Sequence, residues 1–396
     1  MPVQTSRRPQ SLDPGAPGRV PPLIPTQPGP GGRGNGGSKK RTRRKDPLWA
    51  RLTLIFGAVL MMTSGLAIVG SKAVIGQATS NIAQRNLLGD AGKTDAEGGN
   101  SLDGPIDMLL LGVDARARWA ADNVRSDTII ILHIPASHDQ AYLISIPRDA
   151  EAQIPGHGTD KINAAFYFGA ANGGGWEGGA QLMAKTIKKM TGISFDGAAI
   201  INFGGFKNVI DALGTVRICV SHEVPSHHMM MVDGKPMWNA DAKKTGKPMT
   251  PVVHKKGCKE MEGWEALDYA RQRYGLPNSD YDRQQNQQQL IKAMAKKATQ
   301  NGTLTNPIKL NQLINAAGKA LVLDTGNVPI DDFIYTMKGV SGNDLTTLRT
   351  NGGTYSSNAN HRETLNALSM DMFQAVKDDK LAEFVVANPN VLSTRK

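Results

Sequence analysis

The stretch "LLLGVDARARWAADNVRSDTIIILHI", residues 109–134, holds two apolar runs fenced by charge. Asp114 and Arg116 follow the first run, Arg125 and Asp127 precede the second, and Arg148 closes the next run, "AYLISIP". Paired carboxylates suit a hard divalent cation such as Mg²⁺. A guanidinium fork matches two oxygens of a phosphate at once. A cation flanked by arginines is the environment a pyrophosphate needs; the plainer alternative is a set of surface ion pairs at strand ends, which contribute little stability. A second basic group lies in "YARQRYGLPNSDYDRQQNQ". Arg271 and Arg273 close one helix, Pro277 and Asn278 turn the chain, and Ser279 with Asp282 has capping-box spacing. Asp280, Arg283, Gln287, Leu290 or Ile291, and Met294 then share a helical face, polar first and apolar later. An anionic head with a long apolar tail fits that face, and so does an ordinary packed helix.

Three short apolar runs, "IDMLLLGV", "DTIIILHI" and "AYLISIP", must position the first group. Their lack of alternation predicts strands covered on both faces. "PASHDQ" is too short for a crossover, so the second and third runs form an antiparallel pair. Folding Thr128–Ile134 onto Ala141–Pro147 sets 128 opposite 147 and Arg148 opposite Asp127. If the first run is antiparallel to the second, Asp114 reaches the same rim. "QLMAKTIKKMTG", stopping at Gly192, "FGGFKNVIDALG", "EMEGWEALDYARQR" and "SDYDRQQNQQQLIKAMAKKA" read as helices, and "VRICV" as a strand. The expected class is an α/β sandwich with a mixed sheet over 105–300, continued by 301–396 as the C-terminal part of the same domain.

The chain has 396 residues and a net charge of +11. Residues 1–50 hold ten Lys/Arg and two Asp, leaving only +3 for the remainder. Residues 1–46 are Pro- and Gly-rich, which predicts disorder, and end in "KKRTRRK". Leu52–Ser71 carries no charge, and twenty residues at about 1.5 Å each span a bilayer core of roughly 30 Å. With Trp49 and the basic run before it, a retained anchor over 47–71 is expected, the N-terminus cytoplasmic and the rest outside. That placement makes the basic run a topology signal rather than a nucleic-acid site. Residues 72–104 read as a juxtamembrane helix and linker. In an oxidising compartment, Cys219 and Cys258 are expected to pair.

"LLLGVDAR", "RSDTIIILHI", "ISIPRDAEAQIPG", "KINAAFYFG", "FGGFKNVIDALG", "GWEALDYARQR" and "DYDRQQNQ" occur in the order found in the LytR–CpsA–Psr family, which this chain resembles over about residues 105–295. The resemblance implies an α/β/α sandwich with an apolar tunnel for a polyprenyl chain. It implies a membrane-anchored phosphotransferase that moves a glycopolymer from a polyprenyl-pyrophosphate carrier to the C6 hydroxyl of peptidoglycan N-acetylmuramic acid, forming a phosphodiester. On it, Asp114 and Asp127 correspond to Mg²⁺-linked aspartates, and Arg125, Arg148, Arg271 and Arg273 to pyrophosphate-binding arginines. Asp280, Arg283 and Gln287 match the head-group patch, and Lys161 and Asn163 fall in a motif beside it; Asp280 is the candidate proton acceptor. Asn286 stands where the family usually has Arg, and Thr215 replaces a Gly. Two other readings stay open: a pyrophosphatase using water as acceptor, and a tethered lipid-binding regulator without turnover. "GGGWEGG" (173–179) and "SHHMMM" (226–231) are expected to be loops, and no serine-hydrolase element occurs.

Overall fold

The computed structural model describes residues 83–99, 101–113, 124–303, 306–318, 321–337, 340 and 342–393. The predicted tail and membrane anchor, Asp114 and Arg116 lie outside the described residues. Among the described residues, no helix is long and apolar enough to cross a membrane.

Fourteen described strands follow in chain order. The first six are β1 (Ala83–Gln84), β2 (Ile106–Val113), β3 (Ser126–Ile134), β4 (Ala141–Ser145), β5 (Glu151–Ile154) and β6 (Gly158–Lys161). The next six are β7 (Gly197–Asn202), β8 (Val216–Val220), β9 (Val224–Val232), β10 (Lys235–Trp238), β11 (Thr250–His254) and β12 (Gly257–Met261). The last two are β13 (Leu321–Asp324) and β14 (Leu345–Arg349). The helices that matter here are α1 (Asn163–Ala170), α2 (Gly175–Thr191), α3 (Phe203–Leu213), α4 (Gly263–Arg271) and α5 (Asp280–Gln300). After them come α6 (Pro307–Ala317), α7 (Ile330–Met337), α8 (Ala367–Lys377) and α9 (Leu381–Ala387).

Seven strands build the central sheet in the order β1-β13-β7-β2-β3-β4-β14. It is mixed: β2 runs antiparallel to β3 and parallel to β7, while β14 joins β4 in parallel. Apolar side chains on both faces of the strands explain the absence of alternation. Leu109, Leu111, Ile129 and Ile131 pack with Phe166, Met183, Ile187 and Phe373 from α1, α2 and α8. Met108, Ile130, Leu132 and Leu143 point the other way, toward Phe333 and half-buried Ile291 and Ala295. Burying one such side chain fully is worth about 1.5–3 kcal/mol, so the sheet interior carries much of the fold's stability.

Several details depart from the sequence reading. Of the expected juxtamembrane helix and linker, residues 72–82 lie outside the described residues, and 83–99 form β1 and two single 3-10 turns. "GGGWEGG" opens α2 instead of forming a loop, and Gly192 caps that helix with φ 76°. "SHHMMM" lies in β9, paired with both β10 and β11. Glu260 and Met261, read as helical, end strand β12, which faces β8 with Cys258 directly opposite Cys219. The two cysteines form a disulfide. Strands β13 and β14, unforeseen, tie the C-terminal third into the same sheet.

At the Asp107 end of the sheet, charge is sealed inside. Lys93 Nζ meets Asp196 at 2.6 Å and Asp107 at 3.2 Å, and His133 Nδ1 lies 2.8 Å from Asp107. Burial disfavours the Lys93 ammonium, but the two aspartates outweigh it and raise its pKa. This cluster fastens the segment before β2 to the sheet.

Candidate active site

The β3–β4 ladder pairs Ile130 with Ser145 and Ile131 with Ile144. Continued three residues beyond the Ile130–Ser145 pair, that register sets Asp127 against Arg148, and Arg148 Nη1 donates to Asp127 Oδ1 at 2.8 Å. The β2 ladder is antiparallel to β3, as the sequence reading assumed, with a bulge between Gly112 and Val113. Gly112 has no room for a side chain: a Cβ there would stand 2.8 Å from Thr128 Cβ.

Arg148 is the hub. Its Nε lies 3.6 Å from Asp280 and 3.8 Å from Asp149. Burial works against its charge, yet Asp127, Asp280 and Asp149 raise its pKa above the ordinary value. Asp149 also binds Lys161 at 2.9 Å. Asp280 opens α5, where a carboxylate is favoured by the helix dipole. Arg283, one turn on, holds it through Nε at 3.0 Å and Nη2 at 2.8 Å. The expected capping box is replaced by a bond to the residue before the cap. Ser279 makes no side-chain cap and sits at φ 46°, while Asp282 Oδ2 accepts the Asn278 N–H at 2.8 Å. Arg125 donates weakly to Asn163 Oδ1, 3.5 Å away, and lies over the Tyr167 ring. Asn163 in turn donates its N–H to the Arg148 carbonyl at 3.2 Å.

A cavity of about 360 Å³ lies between the sheet and helices α3, α4 and α5, within the range of small-ligand pockets. Its lining is almost wholly apolar; the polar side chains on it are Thr128, Arg271 and Gln287. Thr128 follows Asp127, and Gln287 stands one turn beyond Arg283. The polar end of the cavity therefore adjoins the ion network in sequence and along the helix. Leu290, Ile291 and Met294 continue the lining, so the predicted α5 face is a real surface. Arg271 is packed over Phe203, 4.1 Å from its centroid, and lies near Trp238. Such stacking fixes the plane of a guanidinium beside the cavity.

The structure thus brings Asp127, Arg148, Lys161, Asp280 and Arg283 into one network, sets Arg125 and Asn163 beside it, and places Arg271 and Gln287 on the cavity. It does not bring Arg273 to them: that side chain stacks on Tyr274, 4.5 Å from the centroid, and binds its hydroxyl. Asn286, in the family's usual Arg position, is buried and reaches toward the Tyr269 carbonyl. For a divalent cation, Asp127 offers a hard carboxylate oxygen. No group of three or more ligating side chains forms among the described residues, and the expected partner Asp114 lies outside them.

Sequence reasoning missed three members. Asp149 was visible beside Arg148 in "IPRDAE" and went unused. Tyr281 and Glu363 gave no signal. The Tyr281 hydroxyl bonds Glu363 Oε1, and Asn351 Nδ2 donates to the same oxygen at 3.1 Å. The Glu363 backbone bridges to the Asp149–Glu151 segment, with its N–H on the Asp149 carbonyl at 2.9 Å. Burial pushes the Glu363 carboxyl up to about 7, its two donors pull it back, and the charges of Asp280 and Asp149 add to the rise.

The family model "LytR_cpsA_psr family" matches residues 73–379. The chain is 26% identical over 333 residues to the cell wall biosynthesis protein LcpA of Corynebacterium glutamicum, covering 76% of this chain and 59% of that protein. It is 29% identical over 276 residues to the polyisoprenyl-teichoic acid–peptidoglycan teichoic acid transferase TagU of Oceanobacillus iheyensis, covering 70% and 72%. The fold matches the crystal structure of protein gbs0355 from Streptococcus agalactiae, with TM-score 0.56, 21% identity and coverage of 74% and 91%. The match with LcpA spans less than two thirds of that relative's length. With three quarters of its length inside one family model and a mixed-sheet fold shared with a solved structure, this chain belongs to the LytR–CpsA–Psr family.

Proposed function

We propose that the chain is a membrane-anchored phosphotransferase that joins a glycopolymer, delivered on a polyprenyl pyrophosphate, to peptidoglycan through a phosphodiester. One observation carries the reading: an almost wholly apolar cavity ends at Arg271 and Gln287, next to a network centred on Arg148. A prenyl chain needs the first part and a diphosphate the second. The name of the relative TagU, a transferase acting between polyisoprenyl-linked polymer and peptidoglycan, supports the same assignment.

In this reading Arg148, Arg271, Arg125 and Arg283 hold the diphosphate oxygens, and Lys161 and Asn163 line the approach. Phosphoryl transfer asks a protein chiefly for alignment and charge stabilisation. The muramic C6 oxygen forms a bond to the sugar-linked phosphorus while the bond from that phosphorus to the bridging oxygen breaks. Polyprenyl phosphate leaves with the electron pair, and the hydroxyl proton passes to Asp280. Arg148 and Arg283 hold Asp280 before the donor binds and exchange its carboxylate for phosphate oxygens when it does, freeing Asp280 to take the proton. Asp127 with Asp114 would hold Mg²⁺, which neutralises diphosphate charge when bound. Arg273 is left out of the chemistry by its packing on Tyr274, and the reading places the catalytic domain outside the membrane.

The test uses the full chain with a lipid-pyrophosphate glycopolymer donor. Arg148→Ala and Arg271→Ala each lose about 10²–10³ in transfer rate, the usual cost of one transition-state donor. Unchanged transfer removes that arginine from the site. Phosphate release without a peptidoglycan acceptor, at the same rate as with it, would make the chain a pyrophosphatase instead.

A further inference from the structure

Helix α5 has a second working face. Gln285, Gln289, Lys292 and Lys296 lie about half a turn around from Gln287, Leu290, Ile291 and Met294. They line a separate groove of about 560 Å³, walled by β8 and β12 on one side and by Thr347 of β14 and Ser393 on the other.

The charge in this groove is one-sided. Arg217, Lys292, Lys296 and Lys297 line it against a single carboxylate, Glu260. Glu260 is itself occupied: it accepts from Thr215 at 2.7 Å and faces Lys297 at 3.8 Å. Lys292 donates to the Leu345 carbonyl rather than to a carboxylate. Burial and then the neighbouring Lys296 charge lower its pKa, with Asp344 pulling the other way, as expected where positive charge is under-compensated. Two buried atoms on the lining, Gln289 Oε1 and Ser393 Oγ, have no hydrogen-bond partner among the described residues. A buried polar atom left unpaired is costly, so a ligand that reaches it gains. From Gln285 to Gln300 the lining follows α5 for about 22 Å of helical rise, which suits a chain of several units rather than one ion.

Hydroxyl donors satisfy the amide and serine oxygens, while phosphates or carboxylates satisfy the cations; one ligand class carries both. We infer that this groove binds an anionic glycan, holding it along the face of α5 that looks away from the apolar cavity. The chemistry is shared by a phosphate-bearing polymer and by peptidoglycan with its carboxylates. The inference stands on the groove's own charge and does not need the chain to catalyse transfer.

Calorimetric titration of the full chain in detergent tests it with three probes: a poly(glycerol phosphate) oligomer, a soluble peptidoglycan oligomer, and a neutral N-acetylglucosamine oligomer of similar length. At least one anionic probe binds, more weakly as salt rises, and more tightly than the neutral one. The double variant Arg217→Gln, Lys296→Gln, at two exposed positions where folding is not at stake, weakens that binding about tenfold or more, since each charged contact is worth roughly that factor. Arg148→Ala leaves it in place, separating this groove from the proposed transfer site. Whichever anionic probe binds names the source. Binding of no anionic probe, equal binding of the neutral oligomer, or unchanged affinity in the double variant overturns the inference.

Discussion

The two ends of strands β2 and β3 carry the same kinds of side chain and use them differently. At the Asp107 end, Lys93, Asp107, Asp196 and His133 have side chains no more than 10% exposed. At the Asp127 end, Arg283 is 7% exposed, but the rest runs from 18% for Arg148 to 29% for Asp127 and 38% for Lys161. In the first cluster the charges answer one another, although Lys93 and Asp196 also border a largely polar cavity of about 430 Å³. The second is open to solvent, and its arginines are held by carboxylates that a phosphate can displace. Charge at a strand end is thus no signature of a site; accessible charge beside an apolar cavity is.

This contrast can be broken from either end. Lys93→Ala strands Asp107 and Asp196 in a buried place, and denaturant unfolding should show a loss of about 3–5 kcal/mol, with transfer per folded molecule retained. Arg148→Ala should do the reverse: the rate loss given above, with the unfolding midpoint shifted far less. Equal destabilisation by both would erase the distinction. Glu363→Gln sharpens it, because this carboxyl is buried like the first cluster yet adjoins the second. Its folded pKa lies near 7 against an ordinary 4.5. The folded state therefore binds the proton more tightly than the unfolded chain, and this contribution to stability is full below about 4.5 and is lost as pH rises to about 7. Denaturant titrations across that window should show the decline in the native protein and a flatter curve in the variant. A difference curve without slope there would rule Glu363 out as its source. The smallest effect is expected from Lys207→Ala, which removes an exposed i,i+4 pair with Asp211 on α3. Thermal unfolding should register no more than about 0.5 kcal/mol, and transfer none.

How much of this was readable follows from range along the chain. The Asp127–Arg148 contact was legible because two runs of equal length joined by a short turn leave one register. The α5 face was legible because helical spacing is local. β14 was not, since "LTTLR" becomes a strand only by lying parallel to β4, some 200 residues earlier. β13 is shorter still, and its "LVL" is too brief a run to stand out as those of β2 and β3 do. Glu363 reaches the site through a backbone bridge to Ala150, which leaves no pattern in the sequence. "SHHMMM" misled because a Pro-, Gly- and Lys-rich setting masked a strand whose Ser226 is bound to buried Asp268 on α4. Glu260 and Met261 misled because the apolar spacing of α4 runs back into β12.

The disulfide between β8 and β12 has a topological corollary. Everything from β9 to β11 is an excursion that leaves and returns through one covalent gate, Cys219–Cys258. A protease that nicked the backbone anywhere within it would yield two fragments still tethered, migrating as one species until a reductant parts them. Arg271, just beyond the gate, would stay linked to the half of the molecule that carries Arg148.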